Sequence, residues 1–119
     1  MDIAGMINEI RRHPQFHNAG MLLLHNGVVR ATSRDGRPVK GLRVRVDHVR
    51  LDRILAQQRS RPGIIDILVA IVEERDLAVG DDVMVLIVAG DVRENVIAVL
   101  SDTLNLIKAT VTEKTEYFV

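Results

Sequence analysis

The 119-residue chain has no cysteine and no tryptophan, and its aromatic side chains amount to one tyrosine and two phenylalanines. The lack of cysteine removes disulfide frameworks, thiolate zinc sites and thiol nucleophiles, and it suits a reducing cytoplasm, where we expect the protein to reside. So few aromatics leave little to stack on nucleic-acid bases, which disfavours a nucleic-acid partner. No apolar run approaches the ~18 residues of a membrane span, and the opening MDIAGMINEIRRH lacks the basic and apolar segments of a leader, so no membrane role is expected. No P-loop and no G-x-G-x-x-G appears, and Ser33, Ser60 and Ser101 stand in no motif that would set them beside a base. His13 and His17 have H-x3-H spacing, but Pro14 interrupts the helical face such a pair needs, so no metal site is expected. His25, inside an apolar run, reads as a core histidine with its hydrogen bonds satisfied.

Net charge is also absent, yet it is unevenly distributed. Residues 1–61 hold 12 Lys and Arg against 5 Asp and Glu, whereas residues 62–119 hold 4 against 11. Such polarity fits an anionic partner for one half, a self-complementary dimer surface, or a fold that intermixes the halves. An acidic-ligand or nucleic-acid module built on the arginine-rich stretch 30–61 is a remote reading, and it demands binding that falls steeply with salt.

An apolar fraction of 47% is ample for a core, and the length suits one domain over residues 1–119. Ile3, Met6, Ile7 and Ile10 recur at helical spacing, so residues 2–12 should form a helix that ends before Pro14. Residues 13–19 are a polar connector. MLLLHNGVV, residues 21–29, reads as a strand in which Gly27 permits a bulge. Asp35-Gly36 marks a turn in the loop that follows. Leu42, Val44 and Val46 alternate with Arg43, Arg45 and Asp47, the period of a half-buried strand, and we expect it to form a long hairpin with the strand before it. His48 to Ser60 reads as a helix stopped by Arg61-Pro62-Gly63, and residues 64–72, IIDILVAIV, as a buried strand.

The most informative stretch is Val83 to Lys108, an apolar strand VMVLIVAG running into a helix. Asp91 and Glu94 have capping-box spacing, and Val92, Val96, Ile97, Leu100, Leu104 and Ile107 suggest the buried face. Lys108 in the last turn complements the helix dipole. Arg93 in the first turn opposes it, so the guanidinium is either solvated or helps the free amides hold an anion. The tail ATVTEKTEYFV suggests a last strand or a docked segment. The expected class is α+β, a mainly antiparallel sheet with two to three helices. Arg30, Arg43, Arg45, Arg93 and Lys108 all lie on or beside structured elements. They suit phosphate or carboxylate groups, with a solvated basic surface as the alternative.

The colinear order of these pieces across about residues 2–116 resembles the large, catalytic subunit of molybdopterin synthase. The resemblance rests on Gly27-Val28-Val29-Arg30, on the Leu-Ala-Val-Gly-acid segment from Leu77 to Asp81, and on VMVLIVAG, the helix opening with Arg93, and Ile107-Lys108. It implies an α/β hammerhead-type fold. It also implies a homodimer within a heterotetramer, whose partner is a small ubiquitin-like sulphur carrier ending in a Gly-Gly thiocarboxylate. The implied substrate is cyclic pyranopterin monophosphate, converted to molybdopterin by two sulphur transfers, with no cofactor required. By the same resemblance, Arg30 and Arg93 fall on anion-binding positions and Lys108 on a catalytic one, and Lys114 is the candidate for a second catalytic lysine. The chain departs from the family pattern at Val92, where a histidine is usual, at Val72-Glu73-Glu74-Arg75, where an acid replaces a cation, and at Lys114, which lies one position off and lacks the flanking aromatic. These departures leave open a homologue that binds the carrier or an anionic ligand without chemistry.

Overall fold

The computed structural model describes residues 1–119, and its central element is the strand that is apolar without interruption from Val83 to Ala89. β5 (Asp82–Gly90) is buried from Met84 onward, because it lies in the middle of a three-stranded antiparallel sheet with β1 (Met21–Val28) on one side and β3 (Ile64–Ile71) on the other. A strand paired along both edges and covered on both faces has no place for a polar side chain. On one face Val85, Ile87 and Ala89 pack with Ile10 of α1 (Ile3–Arg11). On the other, Met84, Leu86 and Val88 join α2 (His48–Arg59) and α3 (Arg93–Leu106) in the largest core cluster.

A second antiparallel sheet is ordered β4-β2-β6, with β2 (Val39–Val46) between β4 (Leu77–Ala78) and β6 (Thr112–Phe118). The α+β class, the predominance of antiparallel pairing and the three α-helices match the expectation from sequence. The tail is a strand, a bulge interrupts β1 between Gly27 and Val28, and Gly36 turns with φ +85°. The expected hairpin does not form. β1 pairs with β5 and β2 with β4 and β6, and only a single bridge, Thr32 to Pro38, closes the connection between β1 and β2. The apolar alternation of β2 specifies which face is buried but not which strand lies beside it. The connector before β5 holds β4, too short to announce itself, and residues 16–18 form a 3-10 turn.

The start of α3 also differs from expectation. Gly90 stays in the sheet, opposite Met21 and Ile64, so the N-cap falls at Val92, which offers no side-chain acceptor. Asp91 instead accepts from the Val92 amide at 2.6 Å and from the Asn95 side chain at 2.9 Å, and these bonds hold its carboxyl below the usual carboxylate range. Glu94 accepts from Arg93 rather than completing a capping box. The buried face consists of Val96, Val99, Thr103 and Ile107, while Val92 and Ile97 are half exposed. Thr103 can be interior because its hydroxyl meets Gln58 Oε1 at 3.4 Å, across the junction of α2 and α3.

The two charge-biased halves intermix. Arg43 pairs with Glu74 and Asp76, Arg59 with Asp66, Arg61 with Asp102 and His48 with Glu73, each joining the basic half to the acidic one. No helix is long and apolar enough to cross a membrane.

Candidate functional site

A cavity of about 660 Å³ lies beside the end of β1, lined by residues of both sheets. A drug-sized ligand usually occupies ~300–1,000 Å³, so a small molecule fits. Its walls come from both sheets and from the chain between α3 and β6.

The sheet formed by β2 and β6 places side chains by parity. Val44 lies opposite Lys114 and Leu42 opposite Glu116, and residues facing each other in an antiparallel pair share one side of the sheet. That side lines the cavity with Leu42, Val44, Lys114 and Glu116. Arg43 and Arg45, opposite Thr115 and Glu113, therefore face away. They line a different, smaller hollow with Glu74, where Arg43 donates to the Glu74 carbonyl at 2.8 Å. Two cations of the sequence-derived set are thus engaged outside the site. Lys114 is inside it, with Glu116 Oε1 at 4.0 Å.

Lys108 does not sit in the last turn of α3. The helix ends at Leu106, and Ile107–Val111 form a π-turn, the wider coil that recurs at functional positions. Ile107 and Val111 anchor this turn in the core, and the Val111 carbonyl accepts from the amide of Asp47 at the start of α2. Between those anchors Lys108 lines the cavity, and its ammonium forms no ion pair.

Arg30 follows the bulge at the end of β1, and its Nε donates to the Thr32 carbonyl at 2.8 Å. This bond ties the guanidinium to the rim, where Thr32, Ser33 and Arg34 of the connecting loop also line the cavity. Arg30 makes no ion pair, so its remaining donors are available. Three of the four residues singled out from sequence, Arg30, Lys108 and Lys114, thus converge on one cavity. Arg93 does not. It lies at the exposed start of α3, its side chain 79% accessible and paired with Glu94 at 3.3 Å, and it does not line the cavity of its own chain.

The cavity also contains His25, which sequence reasoning places in the core with its hydrogen bonds satisfied. Its Nε2 is buried, and no protein group lies within hydrogen-bonding reach. Burial first, and the nearby Lys108 charge second, push the proton affinity of the imidazole below the ordinary histidine value, which favours the neutral ring. A histidine followed two residues later by a glycine on the same strand face was the available signal, because the glycine leaves room beside the ring.

A cavity with four cations, one acid and one neutral imidazole can bind a ligand that carries anionic and uncharged polar groups together. The comparisons with known proteins agree with the architecture. The chain resembles the molybdopterin cofactor biosynthesis protein E of Burkholderia multivorans, with a TM-score of 0.76 at 22% identity, covering 100% of this chain and 84% of that one. It resembles molybdopterin synthase from Staphylococcus aureus with a TM-score of 0.72 at 18% identity, covering 86% and 77%. A complex of subunits 1 and 2 of molybdopterin-converting factor from Helicobacter pylori contains a chain similar at a TM-score of 0.72 and 14% identity, covering 100% and 84%. No curated protein matches the chain in sequence. Identities this low speak for the fold, and the family follows from a different finding: the family model described as "MoaE protein" matches residues 1–110, and the chain belongs to that family.

Proposed function

We propose that the chain acts in molybdenum cofactor biosynthesis as the large subunit of a molybdopterin synthase, taking sulphur from a thiocarboxylated carrier and delivering it to cyclic pyranopterin monophosphate. The observation that carries this reading is the meeting of Arg30, Lys108 and Lys114 around one cavity large enough for a pterin. The guanidinium of Arg30 suits a phosphate or the carrier's terminal thiocarboxylate at the rim. Lys108, fixed by the π-turn, and Lys114, fixed by its place opposite Val44, supply ammonium groups for covalent or proton-transfer steps and for charge that develops as sulphur moves. Family membership and the solved complex of the two converting-factor subunits support a small-subunit partner.

Arg93 serves this chemistry from a second copy of the chain. On the exposed start of α3, paired only with its neighbour Glu94, it is placed to reach a second copy's cavity within the proposed homodimer. The decisive assay combines purified protein, thiocarboxylated carrier and the cyclic precursor, with molybdopterin as the readout. Absence of product with every carrier encoded in the same genome would refute the activity.

A second reading is favoured by one observation, Glu116 beside Lys114 in the cavity, which offsets part of the positive charge a catalytic site of this kind needs. In that reading the chain binds the carrier without chemistry. Carrier affinity would then be indifferent to Lys108→Ala, whereas the catalytic reading predicts loss of turnover in a folded protein.

A further inference from the structure

β1 alternates between two packed faces. Leu22 and Leu24 face the cluster with α1, and Leu23 faces the cluster with α2 and α3. His25 continues the Leu23 face, and the next residue on that face is Gly27. The hydrophobic layer therefore ends at His25, and the missing side chain at Gly27 leaves the imidazole at the margin of the cavity. A Cβ built on Gly27 would lie 3.4 Å from His25 Nε2 and 3.9 Å from Met84 Cγ, so the glycine maintains open space beside the ring.

Buried polar atoms in folded proteins are almost always paired, and an exception calls for a reason. Nε2 of His25 is such an exception: it is shielded from water and has no protein partner. An apolar residue would fill the layer without this cost. The charged groups that share the cavity are Arg30, Arg34, Lys108, Lys114 and Glu116. A neutral imidazole among them adds little to anion binding. Its unpartnered Nε2, a donor or an acceptor according to the tautomer, is the complement of one uncharged polar atom on a ligand ring.

We propose that His25 is a specificity-determining contact for the uncharged heterocycle of the ligand, while the cations of the same cavity take its anionic group. This division of labour rests on the pterin-binding reading above and assigns to His25 a part that the cations cannot perform. A site built to hydrogen-bond a ring discriminates strongly against ligands without the matching group, since the buried partner is then left unpaired.

The test separates the two halves of the ligand. Binding of 6-hydroxymethylpterin, which lacks phosphate, and of inorganic phosphate is measured by calorimetry on the wild-type chain and on His25→Phe and His25→Gln. His25→Phe should weaken the pterin by about tenfold or more, equivalent to about 1.4 kcal/mol, and leave phosphate unchanged. His25→Gln, which keeps a donor and an acceptor, should recover most of the loss. In the wild-type chain, the ring nitrogen and carbon signals of His25 in NMR spectra should move on addition of the pterin and stay in place with phosphate, a readout that does not depend on either variant folding. Wild-type pterin affinity in His25→Phe, or ring signals that ignore a bound pterin, overturns the role of His25 alone. A wild-type chain that binds phosphate but no pterin overturns both this role and the substrate class. One that binds neither overturns the proposed function itself.

Discussion

Gly90→Ala adds one methyl group at the point where the central strand hands over to the helix leading to the site. A Cβ there would lie 2.7 Å from Val96 Cγ2, 2.8 Å from the Gly63 carbonyl oxygen and 3.2 Å from Ile64 Cδ1. None of these can retreat easily. Val96 is fully buried, and the Gly63 carbonyl is backbone that already accepts from the Asp91 amide at 2.9 Å. Overpacking of this kind costs about 1–3 kcal/mol, against a gain of roughly 0.4–1 kcal/mol from stiffening the unfolded chain. The expected net loss is therefore about 1–2 kcal/mol. With an unfolding entropy of about 2.1 cal/mol/K per residue, a chain of this length changes by about 0.25 kcal/mol per degree, so Tm should fall by about 4–8 °C. Gly27→Ala is the control, because its methyl meets only ordinary contacts of 3.4–3.9 Å. It should melt at or slightly above the wild-type temperature, since a glycine within a strand is itself unfavourable. Scanning calorimetry of the three proteins at one fixed concentration decides the matter. Equal shifts in both variants, or a Gly90→Ala protein as stable as wild type, would refute the close strand-to-helix packing that sets the start of α3.

Other perturbations probe the site and its supports. Ile107→Ala removes a fully buried side chain that anchors the π-turn, and a loss of about 2–5 kcal/mol in denaturant unfolding is expected. Asp76 accepts from Tyr117 and Arg43, which hold its carboxyl below the usual carboxylate value of 3.8, so these bonds stabilise the fold above that pH and are lost as pH falls through the lower folded value. Asp76→Asn should accordingly be less stable than wild type near neutrality, and the Tm difference should shrink on titration to about pH 2; a constant gap would contradict the assignment. Arg93→Ala removes an exposed side chain whose only ion pair is with its neighbour Glu94, so Tm should stay within about 2 °C of wild type, in line with the small worth of such pairs. In the proposed dimer, mixing Arg93→Ala with Lys108→Ala should restore part of the turnover that each homodimer lacks, and no recovery would place Arg93 outside the site.

The elements are legible in the sequence where one physical demand decides them, and obscure where two compete. β5 is evident because a strand enclosed on all sides excludes polar residues. Its partners are not, since alternation reports a buried face and is silent about neighbours, so β1 and β2 read as a hairpin although they belong to different sheets. Pattern alone draws the buried face of α3 through Ile97 because it is apolar and past Thr103 because it is polar, yet Thr103 is interior once Gln58 meets its hydroxyl. Asp91 has the right chemistry for a cap, but Gly90 remains in the sheet and carries the helix start one residue further.

The same logic governs the site. Lys114 looks displaced when residues are counted along the chain, but counting is the wrong measure in a strand. A side chain on β6 faces the cavity or turns from it according to parity, and parity is set by the residue across the ladder. Opposite Lys114 is Val44, whose side chain must be buried. The residues on either side, Glu113 and Thr115, face the other way with Arg45 and Arg43. A lysine moved by one residue in sequence therefore keeps its place if the strand register moves with it, and the π-turn just upstream is a segment that can absorb such a shift, because its i→i+5 bonds enclose one more residue than the i→i+4 bonds of an α-helix. Offsets in a motif weigh against function only when the element that carries it has a fixed register, and this chain places Lys108 within, and Lys114 just after, a segment whose register is not that of a regular α-helix.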